Sequence, residues 1–335
     1  MHKKTLSIAV LGALLICFLT AGWGQQKSSQ TPYKIVMAHS TTTDTSMHQG
    51  FLKFKELAEK NSNGRIIVEI YPNAQLGGDR EIIEGTQLGN ITVIASSTAP
   101  QVNFVKEAAI FDMPFVLPDK QTARKVFDGP FKDIIGKKYE AAGFKLVGFS
   151  DQGFRELTLN KIVRKPTDLR GIKIRTMENP YHMELWRQLG ANPTPIPFNE
   201  LYTALQQKTV DGQENPYELI YSQKFYEQQK YIINTNHIFQ TIGMIMNKQF
   251  YDSLPNDLKK VVDDAGKEAI NFARKYQDDN EVKYIEFMKK TGIQVIDLTP
   301  TEIDAFKEKS KPVWDRIRKD VGNDIVDAYL NAIKD

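Results

Sequence analysis

Two arginines and an asparagine between residues 155 and 215 are the side chains best suited to hold a small anion. Arg175 closes the alternating segment Gly171-Ile172-Lys173-Ile174-Arg175. In a strand, Ile172 and Ile174 point to one side and Lys173 and Arg175 to the other. A guanidinium at a strand end can fork onto a carboxylate through two parallel hydrogen bonds, which fixes orientation as well as charge. Pairing with Glu178 or Glu184 is the competing reading, and pattern alone leaves both open. Arg155 follows Gly153-Phe154 at a strand start, where glycine would let backbone approach a ligand closely. An ordinary ion pair is the plainer reading there. Asn215 lies in Asp211-Gly212-Gln213-Glu214-Asn215-Pro216, read as a polar turn that breaks a helix. Pro216 pushes the asparagine backbone towards extended geometry, and its amide offers both a donor and an acceptor. Phe198 precedes a helix capped by Asn199 and reads either as the rim of a cleft or as core.

Other chemistry is not signalled. The sequence holds no HExxH, GxSxG, Walker A or CxxC motif. Its five histidines (His2, His39, His48, His182 and His237) show no metal-ligand spacing. His39 and His48 fall near one helix start, but a bare histidine pair is more often structural. No catalytic residue, metal or cofactor is expected.

The elements that must position these groups alternate between strand and helix. Tyr33–His39, Arg65–Tyr71 and Thr92–Ala95 read as strands, Thr45–Lys60 and Arg80–Gly89 as helices. Phe51, Phe54, Leu57 and Ala58 share one helical face. A second run starts at Lys145–Phe149 and continues through Glu156–Leu159 and Gly171–Arg175, so a domain boundary falls near Ser150–Gly153. The alternation predicts an α/β fold with a largely parallel sheet. From Pro255 to Lys290 an apolar stripe runs through Leu258, Val261, Val262, Ala265, Ala269, Phe272, Ala273 and Tyr276. A single helix there would reach roughly 50 Å and could brace two domains. Two helices meeting at a kink near Asp278–Asn280 are the alternative.

Composition bounds the rest. The 335 residues suffice for two domains, and 41% hydrophobic with 25% charged residues is globular usage. A net charge of +3 is too small an excess to point to a nucleic-acid or membrane-surface partner. Met1–Lys4 is basic, Leu6–Ala21 is apolar, and a small and polar stretch follows, which is a secretory signal pattern. Cleavage is placed after Gly24, with Ala21 or Gly22 as alternatives. The single cysteine, Cys17, would leave with the signal, giving a thiol-free mature chain suited to an oxidising compartment. No later segment is apolar enough to span a bilayer.

The segments DQGFRELTLNK, PTDLRGIKIRT, LGANPTPIPFNELYTALQQKTVDGQENP and KFYEQQKYI, with LGGDREIIEGTQLG and FDMPFVL, carry a family resemblance. They resemble the solute-binding proteins of tripartite ATP-independent periplasmic (TRAP) transporters, receptors for dicarboxylates and sugar acids. The likeness covers nearly all of the chain after the signal. It implies a two-lobed α/β periplasmic binding protein with mixed sheets, inter-domain crossings and a long bracing helix. The expected division places residues 29–152 and 241–280 in domain I, and 153–240 and 281–335 in domain II, with the ligand cleft between them. The resemblance implies that Arg175 grips the ligand carboxylate, that Arg155 lines the same cleft and that Asn215 completes the site. Phe198 and Asp79 match further cleft positions. The sialic-acid branch carries an acidic and a basic residue where this chain has Ser97 and Pro100, which argues against sialic acid.

Ser96, Ser97, Thr98, His39, Asp79, Glu178 and Gln152 would suit a hydroxylated acid such as a uronate or aldonate. A C4-dicarboxylate comes next, with Arg155 as its second cation. The expected product is a monomeric periplasmic receptor that hands an organic-acid anion to membrane permease subunits. A secreted enzyme acting on sugar acids, or a receptor feeding a signalling protein, are the alternatives.

Overall fold

In a computed structural model describing residues 31–334, the chain begins with short apolar strands joined by amphipathic helices. The expected signal segment, with Cys17 and its cleavage point, lies outside the described residues. β1 (Tyr33–Ala38) pairs in parallel with β2 (Ile66–Tyr71) and β3 (Val93–Ser97). Helix Ser46–Asn61 covers one face of these strands with Phe51, Phe54 and Ala58, against Ile35, Met37 and Val68. β4 (Phe144–Phe154) then runs the length of this first sheet and leaves it.

After Arg155 the chain enters a second sheet. Its strands are β5 (Glu156–Leu159), β6 (Lys173–Thr176), β7 (Asn192–Pro195), β8 (Gly212–Asn215) and β9 (Tyr231–Asn234). β10 (Phe239–Asn247) returns to the first sheet, between β3 and β4, and β11 (Gln294–Asp297) is added to the edge of the second. The orders are β2-β1-β3-β10-β4 and β11-β9-β5-β8-β6-β7. The sheets are mixed, not largely parallel. β10 is antiparallel to both neighbours, and β5 is antiparallel to β8 and β9. Strand–helix alternation misses this because strands that carry the chain between sheets arrive without a crossover helix, and so run backwards.

Gly153 sits at the first crossing with φ 83°, a left-handed conformation that suits glycine. There it lets the long β4 turn out of its sheet towards Arg155. Within the Asp211–Pro216 stretch, Gly212–Asn215 is strand and not turn, and Gln213, Glu214 and Asn215 are all buried in it. Partners contributed by other elements make that burial tolerable.

Helix Asn256–Lys290 is one unbroken element of 35 residues, without a break at Asp278–Asn280. Leu258, Val262, Ala265, Ala269 and Ile270 join the core beneath the first sheet. Tyr284 and Met288 join a separate core with Phe225 and Ile232 of the second. The buried stripe bends away from Phe272, which is 41% exposed, and passes instead through Arg274 and Gln277. Gly266 allows the helix to press on β4, since a Cβ there would lie 2.3 Å from Val147. The final helix, Asn323–Lys334, sets Tyr329 against Phe111 and Phe131, on the side of the first sheet.

Candidate functional site

The carboxyl ends of β1 and β3 face those of β6 and β8 across a narrow cleft, the place where open α/β sheets gather ligands. Ser40 and Thr41 follow β1, Ser97 ends β3, and Asp79 opens helix Asp79–Gln87. From the other side come Met177, Phe198, Asn215 and Leu219, and the crossing strands contribute Gln152 and Gln240. These residues line a cavity of about 20 Å³. A larger hollow of about 860 Å³ lies on the outer face, between helix Phe131–Ala141, β4 and the long helix. Its walls mix lysines with acidic residues, and the convergent buried polar groups are in the smaller cavity.

Arg175 stands immediately behind this lining, 1% exposed. Its Nε donates to the Ile196 carbonyl at 2.8 Å, and its guanidinium carbon lies 5.9 Å from the centre of the Phe198 ring. Its Nη1 is buried without a hydrogen-bond partner. Burial, and after it the Arg155 charge, push this guanidinium down to about 10. A buried cation with an unmet donor is poised for an anion.

Arg155 is built differently. Its Nε and Nη2 engage the Glu214 carboxylate, Nη2 also reaches Asn215 Oδ1 at 3.1 Å, and Nη1 bonds Gln240. Both members of the Arg155–Glu214 pair are fully buried. His237 Nε2 donates to Glu214 at 2.9 Å, and His182 Nδ1 stands 3.7 Å from it, an ion-pair rather than a hydrogen-bond distance. Burial opposes charge on Glu214, yet Arg155 and the histidines hold its carboxyl well below the usual range. Burial also works against the His182 cation, but Asp112, 3.0 Å from Nε2, and Glu214 together raise it. Asn215 is held from both ends, accepting from Arg155 and donating to Gln213.

The remaining expected residues divide. Phe198, Asp79 and Ser97 line the cavity. Ser40 Oγ donates to Asp79 Oδ1 at 2.6 Å, and Ser97 caps the short helix after β3 by accepting from Ala99 N. His39 does not reach the cavity wall. It pairs with His48 at 2.9 Å and with Thr41 Oγ1 at 3.0 Å, and burial, then His48, push it down to about 3. It therefore acts behind Thr41. Glu178 is half-buried beside the cleft, outside the lining.

Several residues escaped the sequence reading. Gln240 is the polar interruption at the start of the apolar β10, a visible but weak signal. Glu214 gave none, since its partners lie far away in the chain. Glu218 gave none either. Its buried carboxylate accepts from Ser46 N at 2.6 Å and Ser46 Oγ at 2.9 Å, and from Gln152. It thereby caps helix Ser46–Asn61 from the opposite side of the cleft. Burial pushes Glu218 from 4.5 up to about 7, so burying it takes up a proton. The stability this group contributes is complete below its ordinary value and lost as pH rises through about 7. Glu218→Gln cannot ionise. Between about pH 5 and pH 8 its melting temperature should fall less than that of the wild type; equal falls would remove Glu218 from this role.

Two facing sheets, crossing strands, a helix shared by both cores and an unsatisfied cation in the cleft define a two-lobed binding protein. The profile of the bacterial extracellular solute-binding proteins, family 7 (DctP), matches residues 37–320, and the chain belongs to that family. It is 36% identical over 304 residues to a solute-binding protein of Verminephrobacter eiseniae, covering 87% of this chain and 90% of the relative. It is 34% identical over 303 residues to the C4-dicarboxylate-binding periplasmic protein DctP of Rhodobacter capsulatus, covering 90% and 91%. The crystal structure of the sugar acid binding protein DctPAm of Advenella mimigardefordensis with galactonate is similar at a TM-score of 0.87 and 31% identity. It covers 90% of this chain and 98% of that one. The family comprises periplasmic receptors of small organic acids that work with TRAP permeases. No helix among the described residues is long and apolar enough to cross a membrane.

Proposed function

We propose that this chain captures a hydroxylated monocarboxylate, of the aldonate or uronate kind, in the periplasm and hands it to membrane permease subunits. One observation carries the choice of ligand. Of the two cleft arginines, Arg155 is already neutralised by Glu214, whereas Arg175 keeps a buried donor without a partner. One available cation suits one carboxylate. A C4-dicarboxylate was expected to use Arg155 as its second cation, and those donors are engaged. The similarity to a galactonate-binding protein supports the reading, while the likeness to a C4-dicarboxylate receptor keeps that class as the comparison to test.

In this reading the lobes are residues 29–152 with 241–280, and 153–240 with 281–335, the last helix leaning back on the first lobe. Arg175 and Asn215 are 1% exposed, and Ser97 and Phe198 7%, so a ligand enters only when the lobes part. Contacts made by both lobes exist only in the closed form, and ligand shifts the population towards it. Arg155 orients Asn215 rather than holding the ligand. The protein binds and releases without turnover.

A thermal-shift screen of the mature protein against organic acids tests this. An acid at 100 times its dissociation constant should stabilise by about 2.7 kcal/mol. The bound acid should be recovered unchanged. Silence from every carboxylate, with a response to a neutral sugar or an amine, would overturn the proposal.

A further inference from the structure

The two ends of the Gln152 amide are treated unequally. Gln152 is 1% exposed and lines the cavity where β4 leaves the first sheet. Its Nε2 donates to Glu218 Oε2 at 2.5 Å. Its Oε1 is buried without a hydrogen-bond partner, and among the described residues Gln152 is the one member of the cavity lining with such an atom. Buried polar atoms are nearly always paired, so a lone acceptor in the wall of a binding cavity calls for a donor from outside the chain.

Glu218 leaves that amide no choice of orientation. It is fully buried and reaches across the cleft to Ser46, whose backbone N–H can only donate and bonds Glu218 Oε1 at 2.6 Å. Glu218 Oε2 accepts from Ser46 Oγ at 2.9 Å and from Gln152 Nε2. An ionised carboxylate only accepts hydrogen bonds, so it holds the NH2 end of Gln152 and leaves the carbonyl end over. The Gln152 main chain is pinned separately, by Gln277 Nε2 on its carbonyl oxygen at 3.1 Å. Arg175 Nη1 is the unmet donor that matches this unmet acceptor.

We propose that Gln152 Oε1 accepts a hydrogen bond from a ligand hydroxyl, and that Glu218 is the positioning residue that turns this end of the amide to the guest. A hydroxyl that donates completes the site. A methylene, or a group that only accepts, leaves Oε1 buried and unpaired. Because Glu218 reaches Gln152 and Ser46 from the opposite side of the cleft, the orientation is set only as the lobes close. The inference rests on the reading of this chain as a receptor for a hydroxylated acid anchored at Arg175.

The test is calorimetry on the mature protein at pH 8, above the value of about 7 to which burial raises Glu218, so that its carboxyl is ionised. The probes are galactonate and gluconate, each with its deoxy and deoxyfluoro analogues at every hydroxyl-bearing carbon. A deoxy carbon neither donates nor accepts, whereas fluorine accepts weakly and cannot donate. In the wild type there should be a position at which both analogues bind about tenfold or more weakly than the parent acid. In Gln152→Leu that loss should shrink to within about threefold. If Gln152→Leu does not fold, Gln152→Met carries the same measurement. Glu218→Gln must give its carbonyl to the Ser46 N–H, which sets its NH2 towards Gln152 and reverses the Gln152 amide. The ligand hydroxyl then accepts, and the fluoro analogue at that position should bind about threefold or more tightly than the deoxy one. A merely structural role for Glu218 would weaken parent, deoxy and fluoro acids alike, and that outcome removes its positioning role. A wild type with no such position overturns the proposal, as does an unchanged loss in the Gln152 variant. In either case, tight binding of galactonate or gluconate keeps the underlying reading standing and only Gln152 falls. If neither parent acid binds, the reading falls and the proposal falls with it.

Discussion

Arg175→Ala should raise the dissociation constant for the organic acid about a hundredfold or more in calorimetry. The guanidinium is buried, its Nε is held by the Ile196 carbonyl and its Nη1 has no partner within the protein. A ligand carboxylate would complete a buried charge pair. Removing one partner of such a pair typically costs about 3–5 kcal/mol, and each 1.4 kcal/mol is roughly tenfold in affinity. Arg175→Lys should also bind poorly, because a point charge cannot reproduce the planar fork. Arg175→Ala should leave the ligand-free protein as stable as the wild type or more so, since an uncompensated buried cation is a burden on the fold. Native-like affinity in Arg175→Ala would remove this residue from the centre of the site.

Arg155→Ala should behave in the opposite way, unfolding at markedly lower denaturant without ligand. Arg155 supplies Glu214 with donors on two nitrogens, and neither side chain has any exposure. Taking the guanidinium away leaves a carboxylate inside the protein with only His237 and His182 to answer it. The loss should be about 3–5 kcal/mol in urea unfolding. The double variant Arg155→Met with Glu214→Leu should recover much of it, because two apolar groups need no partners. A single variant within about 1 kcal/mol of wild type would show that the histidines suffice. Affinity should also drop in Arg155→Ala, as Asn215 Oδ1 loses the donor that holds it. The two arginines thus separate experimentally in the stability of the ligand-free protein, which falls in Arg155→Ala and holds in Arg175→Ala.

The two arginines also mark what was legible in the chain. Alternation around Ile174 placed Arg175 correctly at a strand end, and the apolar stripe after Pro255 placed a helix long enough to enter both cores. Both are local periodicities, and local backbone geometry follows from them. The stripe misplaced Phe272, because which side of a long helix is covered near its middle depends on β4 and not on the helix alone. The Asp211–Pro216 stretch read as a turn, because its polar residues are tolerable in a buried strand only when Arg155 and His237 arrive to meet them. Likewise His39 read as a ligand contact until its ring was found turned to His48.

What the sequence by itself determined is the inventory and the local frame: strands and helices in order, one brace, and polar groups at strand ends. The tertiary structure alone decided which of those polar groups are already partnered. Glu214 reaches Arg155 from 59 residues away, and Glu218 reaches Ser46 from 172. Hydrogen-bonding capacity is finite, so a side chain that serves the fold cannot equally serve a guest. That division depends on contacts between distant segments, which no local pattern records.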